Sequence, residues 1–406
     1  MFYQTQVLKN GIRLVHKPDE CTVAYCGMVI NTGTRDEAEH EQGMAHFVEH
    51  MLFKGTKKRN SAQIINRLED VGGEINAYTT KEETFVYAIV PTDFAERAVE
   101  LVGDIVFNSV FPDKEIEKEI EVVLDEIQSY NDSPSELIFD DFDELIFPYD
   151  TIGRNILGNH QTVSRYKKEA LLRFLANNYS TDEMVFFSLG KWDIKKWASW
   201  AEKYWGDIPS TTRKQARTAP SDYRPAHRQE TKDTFQVHSM LGNRAYDFQH
   251  PSRLGLYLLN NIIGGPGMSS LLNMSIREQN GLAYNVESNF TPYTDTGVFS
   301  VYVGCDKKNQ KKCEELVHKE LRKLREQKIS AVRLAKYKQQ LMGQLTISSE
   351  NKETFALTLG KSFLHFNKMD GLNEVRQNLD LITADHLLHI ANEVFDEKKL
   401  SSLVYL

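Results

Sequence analysis

Hydrophobic residues in the first third of the chain switch between the spacing of strands and the spacing of helices. The segments "GIRLVHK", "TVAYCGMVIN" and "TFVYAIV" have apolar runs that are typical of strands. A helical repeat surrounds His46, and "TDFAERAVELVGDIVFN" has the same repeat. Because helices and strands are mixed without a regular βαβ alternation, the pattern favours an α+β fold.

The segment "NSAQIINRLEDVGG" is predicted to be a helix with identifiable ends. Ser61 is the predicted N-cap, because a serine side chain can accept a hydrogen bond from the free amide groups of the first turn. Ile64 and Leu68 are four residues apart and mark the buried face. Gly72 is the residue expected to stop the helix.

A polar segment without periodicity divides the chain near its middle. Residues 209–228 carry three prolines and many hydrophilic side chains, so they are predicted to link an N-terminal domain, residues 1–208, to a C-terminal domain, residues 229–406. Residues 61–90 and 268–304 share one order of features: a helix, a glycine, an Ala-Tyr pair and a strand. The repeat indicates a duplication, and a cleft between two similar domains is a common place for a site.

The segment "HFVEHMLFKGT", which begins at His46, contains the candidate chemistry. On a helix, His46 and His50 lie about 40° apart, and Glu49 lies about 60° from His46 on the other side. The apolar side chains on the opposite stripe are Phe47, Val48, Met51 and Leu52. Two neutral imidazoles can bind zinc, and H-x-x-E-H is the inverted zinc motif. A buried helix with two satisfied histidines would show the same pattern, so a metal site requires a third ligand.

A second amphipathic helix, "FPDKEIEKEIEVVLDEIQSYNDSP", offers carboxylates as the third ligand. Its apolar stripe consists of Ile116, Ile120, Val123, Leu124 and Ile127. Glu119 and Glu126 are seven residues apart and both border this stripe, so both can point inward. Charged residues at such a margin are usually solvated, and the pattern alone does not choose Glu126.

Composition narrows the class of protein. The 406 residues carry a formal net charge of -8, which does not favour nucleic-acid binding. The four cysteines form no disulfide-dense pattern, so we predict reduced thiols. The start of the chain does not resemble a signal peptide, and no apolar run approaches the ~20 residues of a membrane helix. We therefore expect a cytoplasmic protein that binds neither nucleic acid nor membrane.

Several motifs together resemble the pitrilysin family of zinc metallopeptidases, which are inverzincins, and especially its short members related to the mitochondrial processing peptidase. In chain order they are "NGIRLV", "GTRDE", "GMAHFVEHMLFKGT", "VGGEINAYTTKEET", "EKEIEVVLDEIQSYNDSP", "GRNILG", "GGPGMSS" and "IREQNGLAY". The resemblance covers nearly the whole chain. It implies an α+β fold with two duplicated domains that face each other across a cleft, each a largely antiparallel sheet with helices packed on one side.

The resemblance also implies a zinc-dependent endopeptidase acting on peptides or unfolded segments. It makes His46, His50 and Glu126 the ligands of Zn²⁺ and Glu49 the general base that accepts a proton from the attacking water. Glu119 matches a second acidic position near the metal, where it would support the ligands.

Three further positions match residues that bind the peptide substrate. Asn76 matches a residue near the scissile bond, and Arg277 and Tyr284 match a pair in the second domain. One departure concerns the glycine-rich segment "GGPGMSS", after which the family often has arginine and this chain has Leu271. Any contact of this loop that depends on the arginine charge is therefore in doubt.

Two other functions are compatible with parts of the sequence. The first is a non-catalytic subunit that partners an active relative, although such subunits typically lose metal ligands. The second is a different metal enzyme with an inverted motif, such as an S-ribosylhomocysteine lyase, although length and duplication disfavour it. Because short members hold half the domains of long ones, we expect a homodimer, and a hetero-partner remains an alternative.

Overall fold

The chain forms two compact units in the computed structural model, which describes residues 3–220 and 223–406. The first unit comprises Met1–Gln128, Asn155–Arg217 and Ile347–Met369. The second comprises Ser129–Arg154, Thr218–Thr346 and Asp370–Leu406. Each unit therefore includes a segment from the other half of the chain.

Strands and helices alternate irregularly along both halves. The strands are β1 (Gln4–Val7), β2 (Arg13–Pro18), β3 (Val23–Ile30), β4 (Glu74–Thr79), β5 (Thr84–Pro91), β6 (Met184–Gly190), β7 (His227–Glu230), β8 (Val237–Arg244), β9 (Ala283–Pro292), β10 (Gly297–Cys305) and β11 (Ser401–Tyr405). The helices are α1 (Met44–Leu52), α2 (Ser61–Glu69), α3 (Ala95–Asn108), α4 (Asp113–Asn131), α5 (Pro134–Ile146), α6 (His160–Val163), α7 (Lys168–Asn178), α8 (Ile194–Trp205), α9 (Arg253–Gly264), α10 (Gln310–Glu326), α11 (Ala331–Ser349), α12 (Lys352–Phe366), α13 (Leu372–Asp380) and α14 (Ala384–Val394). A short π-helical segment spans Asn273–Glu278.

The five strands of the second sheet match the order and direction of β2-β6-β3-β5-β4 in the first sheet, which has one additional strand, β1. The first sheet has the strand order β1-β2-β6-β3-β5-β4, and the second has β7-β11-β8-β10-β9. In each sheet a parallel pair, β2 with β6 or β7 with β11, is followed by antiparallel neighbours. In each sheet a hairpin, β4–β5 or β9–β10, forms the end of the described strand order. The predicted α+β class with two sheets is confirmed, and the matching orders support the predicted duplication.

Both faces of the first sheet are covered. One face packs against α1, α2, α3, α7 and α8 through a cluster that includes Met28, Val86 and Trp197. The other face buries Val15 and Phe187 against Leu359 and Phe363 of α12, a helix from the second half of the chain. The family resemblance implied helices on one side and did not predict this additional helix on the second face.

The second unit repeats this arrangement with a helix from the first half of the chain. Ile138, Phe142 and Ile146 of α5 pack with Met240 and Leu403 of the second sheet. The opposite face of the sheet packs against α9, α10 and α14. Gly242 allows α5 and the neighbouring strand β10 to lie close, since a Cβ there would be 3.1 Å from Cε1 of Phe142 and 2.1 Å from the carbonyl oxygen of Phe299.

The N-cap of α2 differs from the predicted one. Asn60 caps the helix, and Ser61 is its first residue. The side chain of Asn60 accepts a hydrogen bond from the Gln63 amide at 3.0 Å, and the Gln63 side chain accepts one from the Asn60 amide at 3.0 Å. This reciprocal pair satisfies two amide groups, which a cap at Ser61 would not achieve with Gln63. Gly72 follows the helix with φ of 73°, as its predicted role requires.

The predicted linker contains no helix or strand in residues 209–220 and 223–226, and β7 begins at His227. Residues 221 and 222 lie outside the described part of the chain. The division at residues 209–228 stays a prediction. The four cysteine thiols are free. Among the described residues, each helix is too short or too polar to span a membrane.

The packing of α12 generates a prediction about stability. Leu359→Ala should lower the free energy of unfolding of the first unit by about 2–5 kcal/mol, because it removes most of a fully buried side chain and leaves a cavity in its place. The four tryptophans all lie within residues 192–205 of this unit, so their fluorescence during urea denaturation reports it selectively. Thr358→Ala, on the exposed side of α12, is the control and should change stability by less than about 0.5 kcal/mol. Equal denaturation midpoints for the two variants would contradict this role of α12.

Candidate metal centre

Helix α1 has an apolar side that fixes it in the core and a polar side that carries the candidate ligands. Its fully buried side chains are Phe47, Val48, Met51 and Leu52. His46 is buried, while Glu49 and His50 are half-buried. The helix begins after Gly43, whose φ of 91° suits glycine, and whose missing Cβ would meet the Leu157 carbonyl oxygen at 2.6 Å.

Helix α4 presents two of its glutamates to α1. Ile116 and Val123 are buried, and the other apolar residues of the predicted stripe are partly buried against the same core. Glu119 lies on the side of α4 that faces α1 and is 5% exposed. Glu126, two turns further along, has a side chain that is 43% exposed. Apolar burial therefore turns this edge of α4 toward α1 and leaves Glu126 reachable from solvent.

Three side chains converge between α1 and α4. His46, His50 and Glu126 each offer one ligand atom, and these atoms lie within 4.8 Å of one another. The Nε2 atoms of His46 and His50 lie 3.8 Å and 3.6 Å from the carboxylate oxygens of Glu126. These distances exceed those of hydrogen bonds and approach the ~3.3 Å that separates two ligand atoms around a tetrahedral zinc ion. The donor set of two imidazoles and one carboxylate fits zinc.

The ionisation of His46 favours a metal ligand. Burial, together with a smaller effect of the neighbouring His50, lowers the pKa of His46 to about 3. The imidazole is therefore neutral near pH 7 and keeps the nitrogen lone pair that a metal requires.

Glu49 lies in a setting that strengthens it as a base. Burial raises the pKa of Glu49, and the charge of Glu126 also raises it. Interaction with Thr79 and proximity to His50 oppose the rise without cancelling it. A carboxylate with a raised pKa holds a proton more readily, which is the property that a general base near neutral pH needs.

Glu119 does not join the three converging atoms but contacts one of their side chains. The Nδ1 atom of His50 lies 2.8 Å from Glu119 Oε1. The other oxygen of Glu119 accepts a hydrogen bond from Lys54 Nζ at 2.6 Å. Donation from Nδ1–H to the carboxylate leaves the Nε2 lone pair of His50 directed toward Glu126.

The candidate substrate residues lie elsewhere in their units. Asn76 is exposed on β4, paired in register with Tyr87, and β4 packs against α1. Arg277 and Tyr284 are neighbours in the second unit, where the guanidinium carbon lies 5.3 Å from the centroid of the tyrosine ring. Tyr284 is 81% exposed. Leu271, which stands where the family often has arginine, packs against the core of the second unit.

The glycine-rich segment borders a cavity of about 680 Å³ in the second unit. Gly264 and Gly265 line it together with Asn260, Asn261 and Leu341. Among its described lining residues there is no lysine or arginine, so the cavity does not favour a phosphate ligand. The chemistry of the ligand set, rather than cavity volume, therefore identifies the candidate site.

Three residues near the site were not singled out from the sequence. Lys54 lies two residues beyond the end of α1, so helical spacing did not signal its contact with Glu119. Thr79 ends β4 and influences Glu49, and nothing in its local pattern signals that contact. Glu37 accepts hydrogen bonds from the backbone at the start of α1, which only the folded chain reveals.

Similar structures have the same fold. A protease from Helicobacter pylori superposes with a TM-score of 0.90 at 20% identity, covering 99% of this chain and 99% of that one. A structure titled as a peptidase M16 inactive domain from Pseudomonas fluorescens superposes with a TM-score of 0.93 at 17% identity, covering 100% of this chain and 98% of that one.

Curated relatives match along nearly the whole chain. A protein named as an uncharacterised zinc protease of Rickettsia felis is 32% identical over 98% of this chain and 96% of its own length. One with a similar name from Bacillus subtilis is 30% identical, with the same coverage. The probable mitochondrial-processing peptidase subunit beta of Schizosaccharomyces pombe is 27% identical over 98% of this chain and 90% of its own length.

Two family models match successive parts of the chain. The model described as insulinase (peptidase family M16) matches residues 13–160, which include both helices of the candidate metal centre. The model described as the peptidase M16 inactive domain matches residues 165–341, which include Arg277 and Tyr284. With relatives at 30% identity or more along nearly the full length, this protein belongs to the M16 family of peptidases.

Proposed function

We propose that this protein is a zinc-dependent endopeptidase that hydrolyses peptides or unfolded segments. The observation that carries the proposal is the convergence of His46, His50 and Glu126, with Glu49 on the same helix as both histidines. Relatives named as zinc proteases support the choice of metal. The inactive-domain match covers the second part of the chain, whereas the proposed catalytic residues lie within residues 13–160.

The ligands proposed for zinc are His46, His50 and Glu126. When bound, zinc supplies Lewis acidity, which polarises a peptide carbonyl and makes water more acidic. Glu126 provides the negative charge of the ligand set, and the two neutral imidazoles provide the rest of the coordination. Three protein ligands leave a fourth position open, as a catalytic site requires.

Glu49 is proposed as the general base. Its carboxylate accepts the proton of the attacking water as the new carbon–oxygen bond forms. The same group can then hand the proton to the amide nitrogen, whose bond to the carbonyl carbon breaks. The raised pKa of Glu49 supports both steps, because the carboxylate gains a proton more easily and its acid form remains able to donate it.

Glu119 and Lys54 are proposed to hold His50 in place. The hydrogen bond from His50 to Glu119 fixes the ring orientation, and Lys54 balances the charge of this buried carboxylate. Residues that contact metal ligands in this way tune metal affinity without binding the metal themselves.

The edge of the first sheet supports an extended substrate. β4 is the last strand in the described order and packs against α1, so a peptide can pair with its backbone beside Glu49. Asn76 lies on this strand and is proposed to contact the peptide. Only a peptide segment free of its own secondary structure can pair in this way. Arg277, which is half-buried, and Tyr284, which is exposed, are proposed as further peptide contacts in the second unit.

Assembly is also a proposal. The relative from Schizosaccharomyces pombe is named as a subunit, which supports association with a partner chain. We propose a homodimer, since one chain here carries both the candidate metal ligands and the candidate peptide contacts. A hetero-partner is the alternative, and in that case this chain alone would be inactive. The predicted cytoplasmic location stays a prediction.

Substitution of Glu126 and of Glu49 should have different effects on zinc binding and on peptide cleavage. Glu126→Gln removes the anionic ligand, so zinc should be lost on desalting. Glu49→Gln keeps all three ligands but cannot accept a proton, so zinc should stay while single-turnover cleavage of an unstructured peptide falls about 10²–10⁴-fold. The measurements are bound zinc by elemental analysis and cleavage by chromatography.

Glu121→Gln is the matched control, because Glu121 is exposed on the same helix and the charge change is the same. It should keep both zinc and activity. Loss of zinc from Glu49→Gln, together with retention of zinc and cleavage by Glu126→Gln, would invert the assignment. An active wild-type protein that is insensitive to chelators would refute the proposed function as a whole.

The pH dependence of kcat/KM should report Glu49. The base works only when deprotonated, so activity should fall about tenfold per pH unit below its pKa in the free enzyme. Burial raises the pKa of Glu49, so the acid limb should lie above the ~4.3 of a solvated glutamate. Bound zinc measured at each pH separates this loss from protonation of His46, whose pKa of about 3 lies lower. A limb centred below about pH 4.3 would contradict the assignment.

The proposed homodimer predicts a mass in solution near twice 46.7 kDa. Light scattering coupled to gel filtration at micromolar concentration measures this mass, and activity assayed across the same fractions shows which species cleaves peptide. A monomer with full activity would rule the homodimer out. An inactive monomer that gains activity when a related chain is added would favour the hetero-partner.

A further inference from the structure

Three consecutive charged residues between β3 and α1 extend to three different parts of the first unit. Arg35 Nη1 donates to Glu82 Oε1 at 2.6 Å, and both side chains are almost fully buried. Asp36 accepts hydrogen bonds from arginines of residues 209–217, and Glu37 accepts them from the start of α1. We refer to residues 35–37 as the cap segment.

Glu37 compensates for a helix start that has no side-chain cap of its own. The first amide groups of a helix lack partners within the helix, and the N-cap residue of α1 is Gly43, which has no side chain. Glu37 Oε2 accepts from the Gly43 amide at 2.9 Å, and Oε1 accepts from the Ala45 amide at 2.8 Å. Both carboxylate oxygens are used, and the residue is 3% exposed.

The position of this carboxylate matters for the metal ligands. Ala45 immediately precedes His46, and α1 has nine residues, so its orientation depends on how its first turn is held. Hydrogen bonds to an ionised acceptor are stronger than those between neutral groups. A negative charge at a helix N-terminus also offsets the positive end of the helix dipole, which would otherwise disfavour a dication nearby.

The cap segment is held in turn by the first part of the predicted linker. Arg217 donates to both oxygens of Asp36, from Nε at 3.0 Å and from Nη2 at 2.7 Å. Arg213 also donates to Asp36 and to the Asn31 carbonyl, the latter at 2.8 Å. Arg217 Nη2 lies 2.7 Å from the Glu82 carbonyl oxygen, so one guanidinium joins Asp36 to the β4–β5 turn.

We propose that Glu37 is a positioning residue for the metal centre, and that Arg217 holds the cap segment so that zinc affinity depends on residues 209–217. The inference rests on the proposed metal site. Glu37 does not touch the ligands; it fixes the first turn of the helix that carries them. Arg217 acts one step further away, through Asp36, the neighbour of Glu37 in the chain.

Zinc affinity is the direct test, measured by competition with a chromophoric chelator on the full chain. Glu37→Gln keeps the size of the side chain but replaces one acceptor with a donor, so the two amides can no longer both be satisfied. We expect zinc affinity to fall about tenfold, as for changes to groups that orient metal ligands. The absorption spectrum of the cobalt-substituted protein should change as well, because it reports the ligand geometry.

Glu39→Gln is the matched control, since Glu39 is exposed two residues away and the charge change is identical. It should leave affinity and spectrum unchanged. Equal affinities for the two variants would overturn the proposal. So would a Glu37→Gln protein that melts at a lower temperature without metal but keeps the wild-type affinity and spectrum, because its role would then be structural only.

Arg217→Lys tests the second step and is available if Glu37→Gln does not fold. Lysine keeps the charge but cannot donate to both oxygens of Asp36 from one planar group. We expect a smaller loss of zinc affinity in the same direction, and wild-type affinity would overturn the dependence on residues 209–217. A wild-type protein that binds no zinc would refute the proposed function itself, and that result is read from the wild-type titration alone.

Discussion

The candidate metal centre depends on two helices that are distant in sequence and pack against one core with their polar edges in contact. His46 and His50 come from α1 and Glu126 from α4, so no local interaction brings the three together. Burial of the apolar sides of both helices places them, at roughly 1.5–3 kcal/mol for each fully buried large side chain. The charged groups then lie between α1 and α4, at the edge of the core. Apolar packing therefore determines where the candidate site lies.

The carboxylates between α1 and α4 have different electrostatic surroundings. Glu119 is almost fully buried, yet it contacts both the His50 ring and the Lys54 ammonium, so its charge is compensated. Within the described part of the chain Glu49 forms no ion pair with a lysine or arginine, and burial raises its pKa. Two glutamates near one another therefore acquire different properties from their surroundings. Glu119 contacts the His50 ring, and the raised pKa of Glu49 suits its proposed role as general base.

Much of the fold followed from periodicity, since the strands around Val15 and Val86 and the helix around Ile120 have unmistakable spacing. The helix spacing also placed His46, Glu49 and His50 on one stripe. The proposed third ligand did not follow from pattern: Glu119 and Glu126 border the apolar stripe alike, and the family resemblance favoured Glu126. The roles of Glu37 and Arg217 could not have been predicted, because their partners are backbone groups and side chains that only tertiary packing brings within reach.

The exchange of α5 and α12 between the two halves has a consequence for synthesis of the chain. Among the strands of the first sheet, β6 is synthesised last and is complete at Gly190. The helix that covers the second face of that sheet, α12, ends only at Phe366. At about 5–20 residues per second, a ribosome needs roughly ten to thirty seconds to cover this interval. During that time Val15, Phe85 and Phe187 lack the α12 side chains that bury them in the finished protein. Exposed apolar surface of this kind makes incomplete chains prone to aggregation.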